Sequence, residues 1–448
     1  MAISTNPSAP LPTSSGLEQD ARREHHTGHD QASLGEIAIG VVIGRTSEFF
    51  DFFVYAIAAV LVFPSFLFPN TDPLTGTLYS FVIFALAFVA RPLGSLFFME
   101  VDRRHGRGTK LTIALFLLGG STAAIAFLPS PLSIGGYAVA LLCLARAAQG
   151  FALGGAWDGL SSLLALNAPQ KRRGFWAMIP QLGAPFGFLL AASLFAYLTS
   201  SMSQQDFQEW GWRYPFFVAF AINVVALFAR LRLVATHEFS SMLQKQELQP
   251  VPVQEVVERN GSNILVGAFV PLACYALFHL VTVFPLAWTA LRPGTDISGF
   301  LQVQMAGAGV MFVMVVLSGW IADITGRRTL LGVGAALIGL FSFVAPFTLR
   351  GPDATGYGFV LVGFALLGLS FGQASGAVAS GLPRRYRYTG SAMISDLGWL
   401  IGAGFAPLVV LGLSNLIGVV SVGGYLLSGV VCTLLALRLN RQLEMRDH

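Results

Sequence analysis

Three charged side chains, Arg45, Glu48 and Asp51, lie close together inside the first long apolar stretch of the chain, and Tyr55 follows one turn later. At 100° per residue on an α-helix, these four positions fall within about a third of the helix circumference. A single charge at the centre of a membrane helix costs roughly 2.5–3.5 kcal/mol on insertion scales. A stripe of charges is therefore tolerated only where it faces other helices or water, and we interpret it as one wall of a substrate pathway.

The stripe contains groups that can carry a proton. A carboxyl group removed from water can hold and release a proton near neutral pH, which applies to Glu48 and Asp51. The alternative for Glu48 is a static ion pair with Arg45 at i, i+3. Tyr55 either offers a hydroxyl to the same cavity or packs against its neighbours.

A second arginine, Arg146, lies near the centre of the fourth apolar stretch. A guanidinium keeps its charge when buried and can clamp a carboxylate in a fork. Arg146 could bind an anionic substrate, or pair with an acid and be released when that acid is protonated; the first span is a plausible neighbour. With Arg45 it could form a two-cation site for an acid with two or more carboxylates, unless Arg45 simply neutralises Glu48 or Asp51.

Two titratable side chains lie within spans of the second half. His279 is the only histidine in an apolar stretch. It could bind a carboxylate or titrate with a transported proton, and the alternative is a satisfied packing histidine. Asp396 lies near the inner half of the eleventh stretch, where burial of a charge is costly. It therefore either takes part in function or belongs to an internal pair.

The composition is that of a membrane protein. The chain has 448 residues, of which 54% are hydrophobic and 11% charged, and its mean hydropathy is +0.67. A soluble domain carries about 25% charged residues. Apolar stretches long enough to span a bilayer recur along the whole chain. These features predict a polytopic helical membrane protein, and nothing in the net charge of +4 argues for a nucleic-acid partner.

Twelve apolar stretches follow a polar N-terminal tail, and the distribution of Lys and Arg orients them. Loops on one side hold about sixteen Lys and Arg, and loops on the other hold about three. The positive-inside rule then places both termini in the cytoplasm. The predicted organisation is a disordered tail over 1–34, a six-helix half over 35–232, a cytoplasmic linker loop over 233–262, a second six-helix half over 263–438 and a cytoplasmic tail over 439–448.

A short loop pattern occurs twice, at matching places in the two halves. Gly319 to Arg328 follow the eighth stretch, with Asp323, Gly326 and Arg327 inside that segment, and residues 102–107 follow the second stretch. Repetition of such a loop is typical of a duplicated half, as in transporters that rock about a central site.

These features resemble the major facilitator superfamily, and within it the metabolite:proton symporters that take up citrate, other dicarboxylates, shikimate, aromatic acids or betaines. The resemblance implies an all-α fold of 12 transmembrane helices in two six-helix halves. Its finer motifs are Glu48 to Phe52, Ala90 to Gly94, Arg146 to Gly155 with Pro169 and Arg172 to Gly174, Trp210 to Phe216, Arg387 to Gly390 and Gly404 to Pro407.

The resemblance also implies roles for individual residues. Glu48 and Asp51 would take part in proton coupling or substrate binding, and Arg146 opens a motif in which Gln149 is a hydrogen-bonding partner. Asp323 would pair with basic residues of a neighbouring helix only when the cytoplasmic side is closed, as a latch on a two-state equilibrium. The residues expected in gating are Arg91, Asp102, Arg107, Asp323, Arg327 and Arg328.

The sequence departs from the family pattern at several places, of which two concern the inner side of the spans. Ala156 stands where the family usually has Glu, and Asp158 follows two residues later. Asp158 therefore either replaces the missing acid or caps or pairs near the inner gate. In the first loop, three residues instead of two separate Asp102 from Gly106.

We therefore expect a transporter of the bacterial inner membrane that moves a small organic acid or zwitterion by proton symport with alternating access. No ATP-binding loop is present, so an ion gradient would supply the energy. We expect it to be a proton gradient, with sodium coupling as the alternative, and we expect no cofactor or metal. The expected partners are a carboxylate-bearing small molecule and the lipid bilayer, and the protein would function as a monomer. The alternatives are a proton-coupled antiporter that exports a metabolite or drug, and a transporter-fold ligand sensor without turnover. An enzyme is not expected, because no paired metal ligands or nucleophile–base set lies within the spans.

Overall fold

A computed structural model describes residues 34–156, 164, 168–234, 249–350, 353–380 and 382–439 of the chain. Throughout these residues the regular structure is helical, with no strand. Eleven helical stretches among them are long and apolar enough to cross a membrane. The first helix is also long enough, with 28 residues, but carries Arg45, Glu48 and Asp51 in its middle. The all-α membrane fold expected from the sequence is confirmed.

We number the helices in chain order and call α1–α10 the N-terminal helices and α11–α19 the C-terminal helices. The N-terminal helices are α1 (Leu34–Leu61), α2 (Phe63–Leu67), α3 (Pro73–His105), α4 (Arg107–Ala126), α5 (Pro131–Ile134), α6 (Tyr137–Gly155), α7 (Arg173–Met178), α8 (Gly183–Ser201), α9 (Gln204–Glu209) and α10 (Tyr214–Val234). The C-terminal helices are α11 (Val253–Phe269), α12 (Leu272–Thr282), α13 (Phe284–Ala290), α14 (Ile297–Thr325), α15 (Arg327–Arg350), α16 (Asp353–Ser380), α17 (Arg387–Trp399), α18 (Ala406–Ile417) and α19 (Val420–Leu439). A π-helical turn, Leu400–Gly404, joins α17 to α18.

Helices α3 and α14 begin and end in the same way. Asp72 and Asp296 are their N-caps, and each carboxylate accepts a backbone N–H three residues further along at 2.9 Å. Such caps satisfy one of the orphan donors of the first turn. Both helices end at a glycine in the left-handed region, Gly106 at φ 83° and Gly326 at φ 84°. Because only glycine adopts this conformation without strain, the chain can turn sharply into the next helix at each of these two positions.

Two glycines of α6 bring that helix against the backbone of α3. A Cβ atom on Gly150 would lie 2.1 Å from the carbonyl oxygen of Ala87, and one on Gly154 would lie 2.3 Å from that of Arg91. Small residues at this spacing allow membrane helices to approach closely. The contact fixes Arg146, one turn before Gly150, beside the backbone of α3.

The linker loop predicted over 233–262 is partly wrong, because its last ten residues belong to α11. Val256 and Ile264 of this helix are buried against Leu382 and Ile394. An apolar face that can be buried stabilises a helix even in a polar segment. The preceding residues 235–248 of the predicted linker lie outside the described structure, as do the tails over 1–33 and 440–448.

Candidate functional site

Glu48 lies between two arginines. Arg45 Nη1 donates to Glu48 Oε2 at 2.5 Å, which is the i, i+3 pair expected from the sequence. Arg230 Nη2 donates to the other carboxylate oxygen. The side chain of Glu48 is 12% exposed and that of Arg230 only 2%. The charge of Glu48 is therefore compensated by two contacting cations.

Arg230 is a residue that sequence analysis misplaced. Its position near the end of α10, beside Arg232, placed it among the basic residues of the cytoplasmic loops. In the structure it is buried, and its Nη1 also donates to the carbonyl oxygen of Ala156 at 3.0 Å. The signal that could have found it is that Leu231, Leu233 and Val234 follow it, so that it lies within the apolar helix and not after its end.

Asp51, one turn further along α1, has a different environment. Its carboxylate accepts a hydrogen bond from Thr122 Oγ1 at 2.5 Å and a longer one, at 3.4 Å, from Gln149 Nε2. Gln149 Nε2 also donates to Thr122 Oγ1 at 2.8 Å. Asp51 is 1% exposed and forms no ion pair with any described residue. The groups that donate hydrogen bonds to this buried carboxylate are thus neutral, and Arg146 acts on it only from beyond contact distance.

Arg146 reaches Asp51 only through Gln149. Its Nη1 donates to Gln149 Oε1 at 3.1 Å, and its Nε donates to the carbonyl oxygen of Phe84 at 3.3 Å. Its guanidinium carbon lies 3.8 Å from the centre of the Tyr55 ring, a cation–π contact. Arg146 is fully buried, and its Nη2 has no hydrogen-bond partner among the described residues. The guanidinium is therefore held without an ionic partner in contact.

Tyr55 contributes its ring rather than its hydroxyl. The ring is fully buried under Arg146, and the hydroxyl has no hydrogen-bond partner in the described structure. Of the two roles expected for Tyr55, the structure shows packing, through the contact of its ring with Arg146.

His279 is enclosed by aromatic rings. Its ring stacks on Phe52 at 5.3 Å between centroids and meets the edge of Phe84 at 5.4 Å. It is fully buried, and neither ring nitrogen has a hydrogen-bond partner within the described residues. The expected alternative of a satisfied packing histidine is therefore wrong on one point, because the ring packs but its polar atoms are unpaired.

Asp396 joins the N-terminal and C-terminal helices. It accepts a hydrogen bond from Arg91 Nε at 2.7 Å and another from Ser95 Oγ. The internal pair considered for Asp396 thus exists, and its partner is Arg91, which sequence analysis assigned to gating.

A small cavity lies between the two sets of helices beside this pair. Its volume of about 40 Å³ is enough for a few water molecules. Of the stripe on α1, only Arg45 and Glu48 line it; Asp51 and Tyr55 do not. The expected two-cation pairing of Arg45 with Arg146 is also absent there, since the second arginine on the wall is Arg91. The lining residues are Arg45, Glu48, Phe49, Phe52, Ala87, Phe88, Arg91, Leu153 and Trp399.

The two repeated loops make unlike contacts. Asp102 is buried, and Arg107 Nε and Lys110 Nζ both lie 3.1 Å from its Oδ2. The hydroxyl of Tyr388 at the start of α17 also donates to Oδ2 at 2.9 Å. Neither Lys110 nor Tyr388 is among the predicted site residues.

Asp323 contacts backbone atoms instead of the basic side chains expected. Its carboxylate accepts the N–H groups of Gly174 at 2.6 Å and Phe175 at 3.2 Å, at the start of α7. Free N–H groups of a first helical turn bind anions well. The expectation of a basic side chain as the partner of Asp323 was therefore wrong, because the partners are backbone N–H groups. In both loops the contact still links N-terminal to C-terminal helices.

The remaining predicted residues lie apart from the cavity. Arg327 Nη1 donates to the carbonyl oxygen of Gly376 at 3.0 Å, and Arg328 Nη2 to that of Leu437 at 2.7 Å. Both thus tie the end of the second loop to neighbouring C-terminal helices. Asp158 lies outside the described residues.

Comparison with known proteins gives the same family over most of the chain. The model of the Major Facilitator Superfamily matches residues 41–407. The chain is 35% identical over 419 residues to the inner membrane metabolite transport protein YhjE of Escherichia coli (strain K12), covering 92% of this chain and 94% of that protein. It is 29% identical to the shikimate transporter of the same organism, over 83% of this chain and 86% of that protein.

Solved structures show the same fold. The crystal structure of a D-xylose-proton symporter superposes with a TM-score of 0.73 at 17% sequence identity, covering 93% of this chain and 100% of that chain. An inward-open structure of the xylose transporter XylE from E. coli gives 0.68 at 18% identity, over 90% and 96% of the two chains. With its helical architecture, its repeated loops and these matches, the chain belongs to the Major Facilitator Superfamily of membrane transporters.

Proposed function

We propose that this protein moves a small organic acid or zwitterionic metabolite across the bacterial inner membrane by proton symport with alternating access. The observation that carries the proposal is Asp51, a fully buried carboxylate with hydrogen bonds from neutral groups and no contacting cation among the described residues. A charge buried without an ionic partner is costly, and a proton removes that cost. The proton gradient is then the energy source.

The coupling step follows from the chain of contacts between Asp51 and Arg146. While Asp51 is charged, it orients the Gln149 amide, whose oxygen accepts from Arg146. A proton on Asp51 removes the negative charge nearest to Arg146. The charge of Arg146, which lies 5.8 Å from the ring centre of Phe52 on the cavity wall, then favours an anionic substrate in the cavity without contacting it. The proton and the substrate thus each increase the affinity for the other.

Closure of the cytoplasmic side is the proposed role of the two repeated loops. Asp102 contacts Tyr388, and Asp323 contacts Gly174 and Phe175, so each loop ties one set of helices to the other. Loss of such contacts would favour the state that is open to the cytoplasm. We place both termini and these loops in the cytoplasm on the distribution of Lys and Arg.

The relatives support a small organic substrate. One is a shikimate transporter, and another, 30% identical over 84% of this chain and 77% of that protein, is a proline/betaine transporter of Salmonella typhimurium.

The charged groups and the cavity belong to one chain, so we propose that the monomer is the transporting unit.

Substrate-driven proton movement in proteoliposomes tests this proposal. Purified protein is reconstituted with a pH-sensitive dye inside the vesicles and challenged in turn with shikimate, succinate, 4-hydroxybenzoate and glycine betaine. Symport predicts that at least one compound, added outside, acidifies the interior. Alkalinisation would instead establish antiport. Ligand-induced thermal stabilisation without any flux would favour the sensor.

A further inference from the structure

The cavity between the two sets of helices is lined by unlike walls. One carries charged side chains from α1 and α3, and the other is made of aromatic rings from α1, α3 and α17. Phe52 and Phe88 lie edge to face at 5.7 Å, and Phe49 lies 6.3 Å from Trp399. Aromatic faces and edges of this kind favour a flat, apolar body between them.

Of the two arginines on the charged wall, Arg91 leaves both terminal guanidinium nitrogens open to a ligand, whereas Arg45 uses one of its own for Glu48. Glu48 is engaged by Arg45 and Arg230, so its charge is compensated within the protein. Arg91 forms a single hydrogen bond among the described residues, through Nε to Asp396 at 2.7 Å. Its side chain is 17% exposed on the cavity wall. The two terminal nitrogens of its guanidinium thus remain available to a carboxylate, the ligand that this planar fork fits best.

We propose that Arg91 binds the carboxylate of a monocarboxylic acid with a planar apolar body, and that Asp396 competes with this substrate for Arg91. The inference rests on the proposed transport of organic acids and narrows their class. The substrate body lies against Phe49, Phe88 and Trp399, and its carboxylate takes the guanidinium fork. Arg91 belongs to α3 and Asp396 to α17, so this exchange breaks a contact between the N-terminal and C-terminal helices. Substrate binding therefore weakens the contact between the N-terminal and C-terminal helices. The cavity can then widen to hold a substrate larger than its present volume.

Binding of 4-hydroxybenzoate to the purified full-length protein, measured by titration calorimetry in detergent, tests the competition. The Asp396→Asn variant removes the competing charge, so Kd is expected to fall by about fivefold or more. The Arg91→Gln variant removes the binding group and is expected to raise Kd about 30-fold or more. The neutral analogue 4-hydroxybenzamide is expected not to bind.

The matched control is Arg103→Gln, since Arg103 is an exposed arginine of the same helix that also pairs with an acid, Glu100. It should leave Kd unchanged. If Asp396→Asn leaves Kd unchanged or weakens binding, the ion pair is merely structural and the inference is overturned. This variant decides the question even if Arg91→Gln fails to fold. Absence of binding to the unaltered protein at millimolar concentration also overturns it.

Failure of this inference can be told apart from failure of the proposed function. Proton entry driven by succinate or glycine betaine, with no binding of 4-hydroxybenzoate, would reject the planar monocarboxylate and leave proton symport intact. The opposite pattern, with the expected changes in Kd but no proton movement for any compound, would keep the binding site and reject symport.

Discussion

Glu48 and Asp51 lie one turn apart on α1, and both are carboxylates within the apolar part of the protein, yet their surroundings differ in kind. Glu48 contacts two arginines, whereas Asp51 accepts hydrogen bonds from neutral side chains, among them the Thr122 hydroxyl and the Gln149 amide. A carboxylate held by two cations is already neutralised and gains little from a proton. A carboxylate whose hydrogen-bonding partners are all neutral is stabilised much more when it takes up a proton. We therefore propose different roles for the two acids. Glu48 holds α1 in place through its ion pairs, and Asp51 carries the proton.

The largest change in stability is expected for Glu48→Gln. This substitution leaves the buried Arg230 and its neighbour Arg45 without their shared anion, which should lower the free energy of unfolding by about 3 kcal/mol. Asp51→Asn keeps the shape of the side chain and strands no contacting cation, so it should change stability by less than about 1 kcal/mol. Denaturant unfolding in detergent measures both. Equal losses would remove the distinction between the two acids.

Arg146→Lys is expected to slow uptake about 30-fold, while the protein still folds. An ammonium cannot keep the hydrogen bonds to both Gln149 and the Phe84 carbonyl and also lie flat on Tyr55, and loss of one charged hydrogen bond costs about 2 kcal/mol. Initial rates in proteoliposomes, with Arg213→Lys as a control outside this network, give the comparison. Nearly full activity would mean that Arg146 supplies only a generic positive charge.

A smaller effect is expected when the less buried arginine of the Glu48 cluster is removed. The side chain of Arg45 is 20% exposed, and Arg230 still contacts Glu48 after Arg45→Gln. Unfolding free energy should fall by about 1 kcal/mol, well below the loss for Glu48→Gln. A loss as large as that of Glu48→Gln would show that Arg45 and not Arg230 compensates the carboxylate.

The smallest effect is expected for Tyr55→Phe. The hydroxyl has no partner in the described structure, and the ring that Arg146 covers is retained. Uptake should stay within about twofold of the unaltered protein, since a cation–π contact depends little on this change. A severe loss would indicate that the hydroxyl binds a substrate or water during transport.

Local parts of the site could be predicted from sequence, and distant contacts could not. The Arg45–Glu48 pair follows from helical spacing alone, and the charged centre of α1 predicted that this helix packs against other helices. Arg230 lies 182 residues from Glu48 in the chain, and no periodicity indicates that the two meet. For Asp323 a charged partner was the natural expectation, but the actual partners are backbone N–H groups, which carry no sequence signal.

The same limit applies to the cavity. The stripe on α1 was expected to face one space, but Phe49 and Phe52 share the cavity wall with Arg45 and Glu48, while Asp51 turns towards α4 and α6. Helix spacing defines which residues share a face. Which neighbour that face meets depends on the packing of all the helices, for instance the close approach of α3 and α6 at Gly150.

The most direct test of the account compares two kinds of transport in the Asp51→Asn variant. Proteoliposomes that contain the substrate identified by the flux screen are assayed for exchange of labelled substrate at equal pH, and for accumulation driven by a pH gradient. If Asp51 carries the proton, exchange persists in this variant while gradient-driven accumulation and proton entry are lost. Glu48→Gln protein that remains folded still couples the proton to the substrate. Gradient-driven accumulation by Asp51→Asn at the rate of the unaltered protein would contradict the assignment of the proton to Asp51.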